Sequence, residues 1–302
     1  MSLDPANAPR APFRHLATLW IQVTGTWCNL TCAHCFNTSG PRDPWIKQMT
    51  TAQVRAAIDE GVTLGVKELY FTGGEPFLHP DFPEHVAYAL RHAPTTVLTN
   101  GTLITGAVAA RLGTLANASR YSLEIRLSLD AVDRQQNDAV RGKGVFDKVL
   151  RAAVLLESQG LPPIVTLSEI VVGTETLEEG PTTDGGSGDL STGIYGRLRD
   201  LLLAAGVRRP RIKIIPVFHM GRLAERDRRL TPGHLDGFDF SLLQCTETRA
   251  VTADGVYACP ILAGLPGARL SAGAIAETLQ PCRLYHSACV TCYETGMTCR
   301  NF

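Results

Sequence analysis

The chain has no excess of either charge: 29 lysines and arginines face 29 aspartates and glutamates across 302 residues. That balance removes the electrostatic basis for binding nucleic acid or an anionic membrane surface. No apolar run approaches the roughly 20 residues of a membrane-spanning helix, so no membrane partner is expected. The opening stretch MSLDPANAPRAPFRH has no apolar core of the secretory type and reads as a frayed tail over residues 1–16. No internal repeat is visible, which sets repeat architectures aside. The basic run at 222–229 is interleaved with acids and reads as a solvated face or a helix end. Cysteine, by contrast, is plentiful, with nine in the chain. Without a secretion signal, that number points to metal binding in a reducing cytoplasm rather than to disulfides.

Three of the nine stand together. Cys28, Cys32 and Cys35 lie in WCNLTCAHCF, with spacing Cys-x3-Cys-x2-Cys, just after a short apolar strand. Three thiolates can hold three irons of a 4Fe–4S cubane and leave the fourth iron open to a small molecule. A closed structural site would use four protein ligands. Buried thiols, or a zinc site completed by His34, are the alternative readings of the same residues.

A second motif follows one strand–helix unit later. In KELYFTGGEPFLHPDF a strand over 68–72 runs into Gly73-Gly74-Glu75-Pro76. The glycines remove side chains where backbone must approach a ligand closely, and Glu75 adds a carboxylate beside that backbone. The triad and Gly-Gly-Glu-Pro together resemble the radical S-adenosylmethionine (radical SAM) superfamily, and further matches carry the resemblance over about residues 17–300. The resemblance implies that S-adenosylmethionine chelates the open iron, that one electron cleaves it to a 5′-deoxyadenosyl radical, and that this radical abstracts a substrate hydrogen. It also implies an electron donor of the flavodoxin or ferredoxin type. The protein's part is then to bind, orient and exclude water.

Strand and helix signals alternate along the chain. Strands are expected from Leu19, Glu68, Thr95, Leu123, Pro163 and Arg211, with helical patterns from Thr50, at 81–92, at 105–115, from Val145 and from Tyr195. Six such units predict an α/β fold with a parallel sheet and right-handed crossovers. The resemblance narrows this to a partial (β/α)6 TIM-like barrel over residues 17–230, with its site at the C-terminal ends of the strands. Residues 174–194, rich in Gly, Thr, Ser and acids, read as a βα loop or a lid over that site.

The resemblance also marks cofactor residues. Gly73, Gly74, Glu75 and Pro76 belong to that set. Asn100, in Thr-Asn-Gly after the third strand, reads equally as a tight turn or a ligand contact. Ser128 ends the fourth strand, and Arg141 follows in NDAVRG at 137–142; the resemblance gives this pair the carboxylate of S-adenosylmethionine, which a guanidinium fork matches. The family often has histidine where Asn137 stands. His34 holds a variable position beside the third cysteine. The sixth strand runs through IIPVFHMGRLAE into a Gly-Arg turn, which the resemblance puts beside the adenine. No residue that quenches the substrate radical is legible; acids of the 174–194 loop and His219 are the candidates.

Six cysteines remain, Cys245, Cys259, Cys282, Cys289, Cys292 and Cys299, all within residues 231–302. The first two bracket TETRAVTADGVYA, a hairpin with its turn at Asp254-Gly255. A short helical pattern, SAGAIAETL, comes next. The segment resembles the cysteine-rich auxiliary appendages called SPASM and twitch domains, nearer to the smaller twitch form, which implies at least one auxiliary 4Fe–4S cluster. Cys282 and Cys299 could ligate a second cluster, replace a hairpin cysteine or remain free. A zinc ribbon is the structural alternative.

Three functions are compatible with this reading. The first is a radical enzyme that modifies a peptide or protein; because the triad begins at residue 28, a separate protein is expected to deliver the peptide. The second is a small-molecule radical enzyme that oxidises a sugar or aminocyclitol alcohol or rearranges a nucleotide. The third is an iron–sulfur or zinc scaffold without catalysis.

Overall fold

The computed structural model describes residues 7–42, 44–168, 193–224 and 228–296. In chain order the elements are β1 (Arg10–Ala11), β2 (Thr18–Gln22), α1 (Thr51–Thr63), β3 (Glu68–Thr72), α2 (Phe82–Ala89), β4 (Thr95–Thr99), α3 (Gly106–Ala118), β5 (Leu123–Ser128), α4 (Arg134–Arg141), α5 (Val145–Ser158), β6 (Ile164–Ser168), α6 (Gly193–Ala204), β7 (Arg211–Ile215), β8 (Thr248–Thr252), β9 (Gly255–Tyr257), β10 (Arg269–Ser271), β11 (Cys282–Arg283) and α7 (Ser287–Thr295). The six expected strands are present as β2 to β7, each within a few residues of its predicted start. Most of the reading at 174–194 falls outside the described residues.

The chain divides into two compact units. One comprises residues 1–97, 115–123 and 218–302, the other 98–114 and 124–217.

In the first unit β2 lies between β3 and β8 and is parallel to both, with Leu19 opposite Leu69 and Arg249. A strand flanked on both edges loses solvent on both faces, and all five residues of β2 are buried. Beyond β3 comes β4, again parallel, with Phe71 opposite Val97. On the other side β8 and β9 form the expected hairpin, and β10 extends it antiparallel. That hairpin is thus an extension of the parallel sheet. The pattern SAGAIAETL forms no α-helix: Ser271 ends β10, and only Ala276–Thr278 turn, as a single 3-10 turn. Residues read as a frayed tail are also tied down. Arg10 and Ala11 pair antiparallel with Arg283 and Cys282, and the Leu284 N–H donates to Pro9 O at 2.8 Å.

In the second unit β5, β6 and β7 are parallel neighbours, Leu127 facing Val165 and Val165 facing Ile212. Between β5 and β6 run α4, capped by the Asp133 carboxylate on the Gln136 N–H, and α5, whose buried stripe includes Val149, Ala152, Ala153 and Leu156.

Candidate cluster and cofactor site

The loop bearing the three cysteines leaves the C-terminal end of β2. The chain turns at Gly25, where φ is +53° and an added Cβ would stand 2.2 Å from Ile46 O, so only glycine fits. The loop then closes on itself: Cys28 N–H donates to Gly40 O at 3.0 Å and Cys35 N–H to Cys32 O at 3.2 Å. Two sulfurs already accept backbone hydrogen bonds, Cys28 Sγ from Leu30 N–H at 3.4 Å and Cys35 Sγ from Ser39 N–H at 3.3 Å. Such bonds favour the thiolate form, which is the ligating form. Burial pushes the Cys28 thiol up to about 12, against the Leu30 hydrogen bond, and charge on Glu75, Cys32 and Cys35 pushes the same way. Cys28 is buried, whereas Cys32 and Cys35 are half-exposed.

Gly73 and Gly74 sit directly beneath this loop, and their missing side chains make room for it. A Cβ on Gly74 would lie 2.1 Å from Trp27 O and 2.8 Å from Cys28 Cβ; one on Gly73 would lie 2.3 Å from Thr24 Oγ1. The glycines therefore admit the cysteine loop itself. The Glu75 N–H donates to Trp27 O at 3.0 Å, and the Glu75 carboxylate, wholly buried, accepts from the Phe77 N–H at 3.2 Å. Pro76 is buried at the start of the following turn.

A second clamp comes from the Gly-Arg turn after β7. Gly221, at φ +58°, has no room for a Cβ, which would sit 2.4 Å from both Cys35 O and Phe36 O. That close approach lets Arg222 reach the loop. Its guanidinium donates to Cys32 O at 2.9 Å, Thr38 O at 3.1 Å and Ser39 O at 2.7 Å, and its backbone N–H donates to Cys35 O at 3.2 Å. For Arg222 the solvated-face reading of 222–229 is thereby overturned; Arg228 does lie at the surface, paired with Glu294. Among the described residues no three His, Cys, Asp or Glu side chains close on one point as a single ion would require. A cubane needs its thiolates spread around a larger body.

The remaining cofactor candidates lie in the second unit. Asn100 makes a turn: its Oδ1 accepts from the Thr102 N–H at 2.9 Å and the Thr102 hydroxyl at 2.7 Å. Ser128 is half-buried at the end of β5. Arg141, buried at the end of α4, places Nε 2.5 Å from Asp130 Oδ2. Asp130 is fully buried; its Oδ1 accepts from the Ser168 hydroxyl at 2.5 Å and the Ser168 N–H at 3.3 Å, and its own N–H donates to Asn137 Oδ1 at 3.0 Å. Asp130 thus fixes where Arg141 points, and Asn137 in turn fixes Asp130. His219 is exposed.

The C-terminal cysteines converge as well. Cys245, Cys259, Cys282, Cys289 and Cys292 line one cavity in the first unit, closed by Leu243, Leu262 and Ala288. Cys299 lies outside the described residues. Four of the five are buried, and none of the described cysteines is in a disulfide. Burial pushes Cys289 up to about 12. Cys245 and Cys282 share a hydrogen bond: Cys245 is raised by it and by burial, while Cys282 is lowered by it and by the charge of Arg249. Five soft donors around one apolar cavity suit a thiolate-held metal centre.

Sequence reasoning missed Asp130 and Arg249. Asp130 could have been found as an acid at a strand end seven residues before Asn137. Arg249 offered a signal too, a charge at a position where the hairpin should be buried.

Comparisons with known proteins agree with this geometry. The family model described as the radical SAM superfamily matches residues 23–183. Mycofactocin maturase MftC of Mycolicibacterium smegmatis is 42% identical over 134 residues, 44% of this chain and 32% of the relative. PqqA peptide cyclase of Granulibacter bethesdensis is 33% identical over 147 residues, 48% of this chain and 37% of the relative. The match thus spans about a third of the length of these curated relatives. Among solved structures, anSMEcpe with bound AdoMet superposes with a TM-score of 0.61 at 18% identity, covering 87% of this chain and 77% of that one, which shows a shared fold. With more than half its length matched by the family model, the chain belongs to the radical SAM superfamily.

Proposed function

We propose that the chain is a radical SAM enzyme that modifies a peptide or protein, with Cys28, Cys32 and Cys35 holding its 4Fe–4S cluster. The observation that carries the reading is the triad loop. Its backbone is seated on Gly73 and Gly74, and Arg222 fixes its carbonyls. When bound and reduced, the cluster supplies the electron that cleaves S-adenosylmethionine to a 5′-deoxyadenosyl radical.

The chain's own residues then bind and orient. Half-exposed Cys32 and Cys35 leave the loop approachable, while buried Cys28 anchors it. Gly73, Gly74, Glu75 and Pro76 offer backbone and a fixed carboxylate to the polar end of S-adenosylmethionine. Ser128 and Arg141 receive its carboxylate, and Asp130, by holding Arg141 Nε, fixes where that guanidinium points. Asn100 shapes the turn that follows β4. The C-terminal cysteines would hold at least one auxiliary 4Fe–4S cluster, which would supply an acceptor for the electron that a substrate radical gives up as it is oxidised.

The peptide substrate class is supported by the likeness to a maturase and a peptide cyclase. Reduction by a flavodoxin or ferredoxin-type donor, a separate peptide-delivery protein and a cytoplasmic setting complete the proposal. Among the described residues no helix is long and apolar enough to cross a membrane.

The test is anaerobic reconstitution with iron and sulfide, followed by dithionite and S-adenosylmethionine. Formation of 5′-deoxyadenosine, then a mass change in a short precursor peptide encoded beside the gene, is the expected result. Product without any change in such a peptide would transfer the assignment to a small-molecule substrate. No product from a fully loaded chain, with substrate and native reductant supplied, would leave a metal scaffold.

A further inference from the structure

Arg249 is the second residue of β8 and is fully buried. Its guanidinium makes five hydrogen bonds, and every acceptor is a backbone carbonyl. Nε donates to Thr278 O at 2.9 Å, Nη1 to Cys245 O at 3.0 Å and Thr248 O at 2.6 Å, and Nη2 to Thr278 O at 2.6 Å and Gln280 O at 2.9 Å. The Phe13 ring covers it at 4.0 Å from the ring centre. Carbonyls and a ring face solvate a cation but do not neutralise it, and no carboxylate among the described residues pairs with it. An arginine keeps its proton in any protein setting, and a buried guanidinium without a counter-ion is strongly disfavoured.

The negative charge available to it is that of thiols. Cys245, whose carbonyl Arg249 holds, lines the cysteine cavity with Cys259 and Cys282. A thiolate-held centre in that cavity would face a buried cation fixed to the Cys245 backbone at 3.0 Å. The unpaired cation and the cysteine cavity thus explain each other.

We propose that Arg249 is the fixed positive counter-charge of the C-terminal cysteine site, a positioning residue that sets the Cys245 segment and raises the reduction potential of the cluster held there. The inference rests on the auxiliary-cluster half of the proposed function. Physically, a cation held by five bonds cannot swing away when the site gains an electron, so it stabilises the reduced state more than the oxidised one. Cluster potentials respond to local charge in this way.

The experiment uses the full chain with Cys28, Cys32 and Cys35 replaced by alanine, so that only the C-terminal site can hold iron. Iron is counted after anaerobic reconstitution, and the midpoint potential is read by potentiometric titration followed by electron paramagnetic resonance. Arg249→Met is expected to lower the potential by about 59 mV, a tenfold weaker one-electron reduction. Arg249→Lys, which keeps the charge, is expected to stay near the parent value. An unchanged potential in a fully loaded Arg249→Met chain overturns the proposal. If Arg249→Met loads no iron, Arg249→Lys decides: loading with the parent potential supports the charge role, and failure to load reduces Arg249 to a structural brace and overturns it. A parent chain that binds no iron at this site would instead overturn the auxiliary-cluster reading and the inference with it.

Discussion

The two cysteine regions of the first unit are built on opposite plans. The N-terminal loop leaves two of its three thiols half-exposed, whereas four of the five described C-terminal thiols are buried. Each region is also served by one arginine. Arg222 grips carbonyls at Cys32, Thr38 and Ser39 on the outside of its loop, and Arg249 is sealed inside, with Cys245 O among its acceptors. An exposed metal edge is where a small molecule can bind and react; an enclosed one can only pass or store an electron. The contrast teaches that cysteine spacing alone does not assign chemistry. The burial of the thiols, and the charge beside them, distinguish the two regions where spacing does not.

That contrast can be broken most sharply at Cys32. Cys32→Ala is expected to abolish 5′-deoxyadenosine formation while the C-terminal site keeps its iron, as measured by product chromatography and metal analysis on one preparation. Retained turnover would erase the distinction. Gly74→Ala comes next. Its new Cβ would meet Trp27 O at 2.1 Å, and backbone cannot swing aside as a side chain can. A loss of about 3 kcal/mol in urea unfolding, at the upper end of overpacking costs, is expected, with reduced iron at the triad. A variant as stable as the parent would show the cradle to be slack.

Arg222→Met removes three charge-assisted hydrogen bonds from a partly exposed site. About 2 kcal/mol and slower iron loading at the triad are expected, with loading of the C-terminal site unchanged. Equal loss at both sites would mean that the two regions do not assemble independently.

The smallest effect at neutral pH belongs to a residue outside both regions. Burial and the neighbouring His79 push buried His85 down to about 4 from its ordinary 6.5, with Arg55 adding to the effect and Asp81 and Glu84 opposing it. The folded chain thus holds His85 neutral while the unfolded chain protonates it below pH 6.5. Stability from this group is complete above pH 6.5 and is lost as pH falls toward 4, in total about 3 kcal/mol. His85→Gln should flatten that acid limb. A parent unfolding curve that stays level from pH 6.5 to 4 would contradict the shift. Comparisons of the two cysteine sites are therefore cleanest above pH 7, where this background is silent.

Much of this was legible in the sequence. The strands from Leu19, Glu68, Thr95, Leu123, Pro163 and Arg211 were legible as short runs rich in apolar and β-branched residues, although of these only β2 and β6 are buried at every position and β7, with Arg211 and Lys213, is half-buried throughout. The triad and Gly-Gly-Glu-Pro were legible by spacing, but the seating of the triad loop on Gly74 was not, since the close approach of Gly74 to Trp27 joins segments nearly fifty residues apart. The hairpin at Asp254-Gly255 was visible as a turn, whereas its parallel seat against β2 was not, because a turn signal says nothing of what lies on the far edge of a strand. The roles of Asp130, Arg222 and Arg249 depend on partners distant in sequence, and charged residues in such places read by default as surface. The second-unit pair Asp130–Arg141 shows the limit well: the guanidinium was recognised, and the carboxylate that aims it was passed over as part of a strand end.

The antiparallel pairing of β1 with β11 and the parallel seat of β8 on β2 bear on timing. Residues 10–11 and 18–22 find those partners only at residues 282–283 and 248–252. During synthesis the N-terminal strands emerge from the ribosome more than two hundred residues ahead of half their neighbours. The triad loop, seated on Gly73 and Gly74, has much of its support once the chain has passed β3, although Arg222 arrives much later. The C-terminal cavity must wait for the whole span. The two cysteine sites are therefore completed in an order set by the topology of the sheet, and a nascent chain passes through a stage in which the triad loop exists before the C-terminal cavity does.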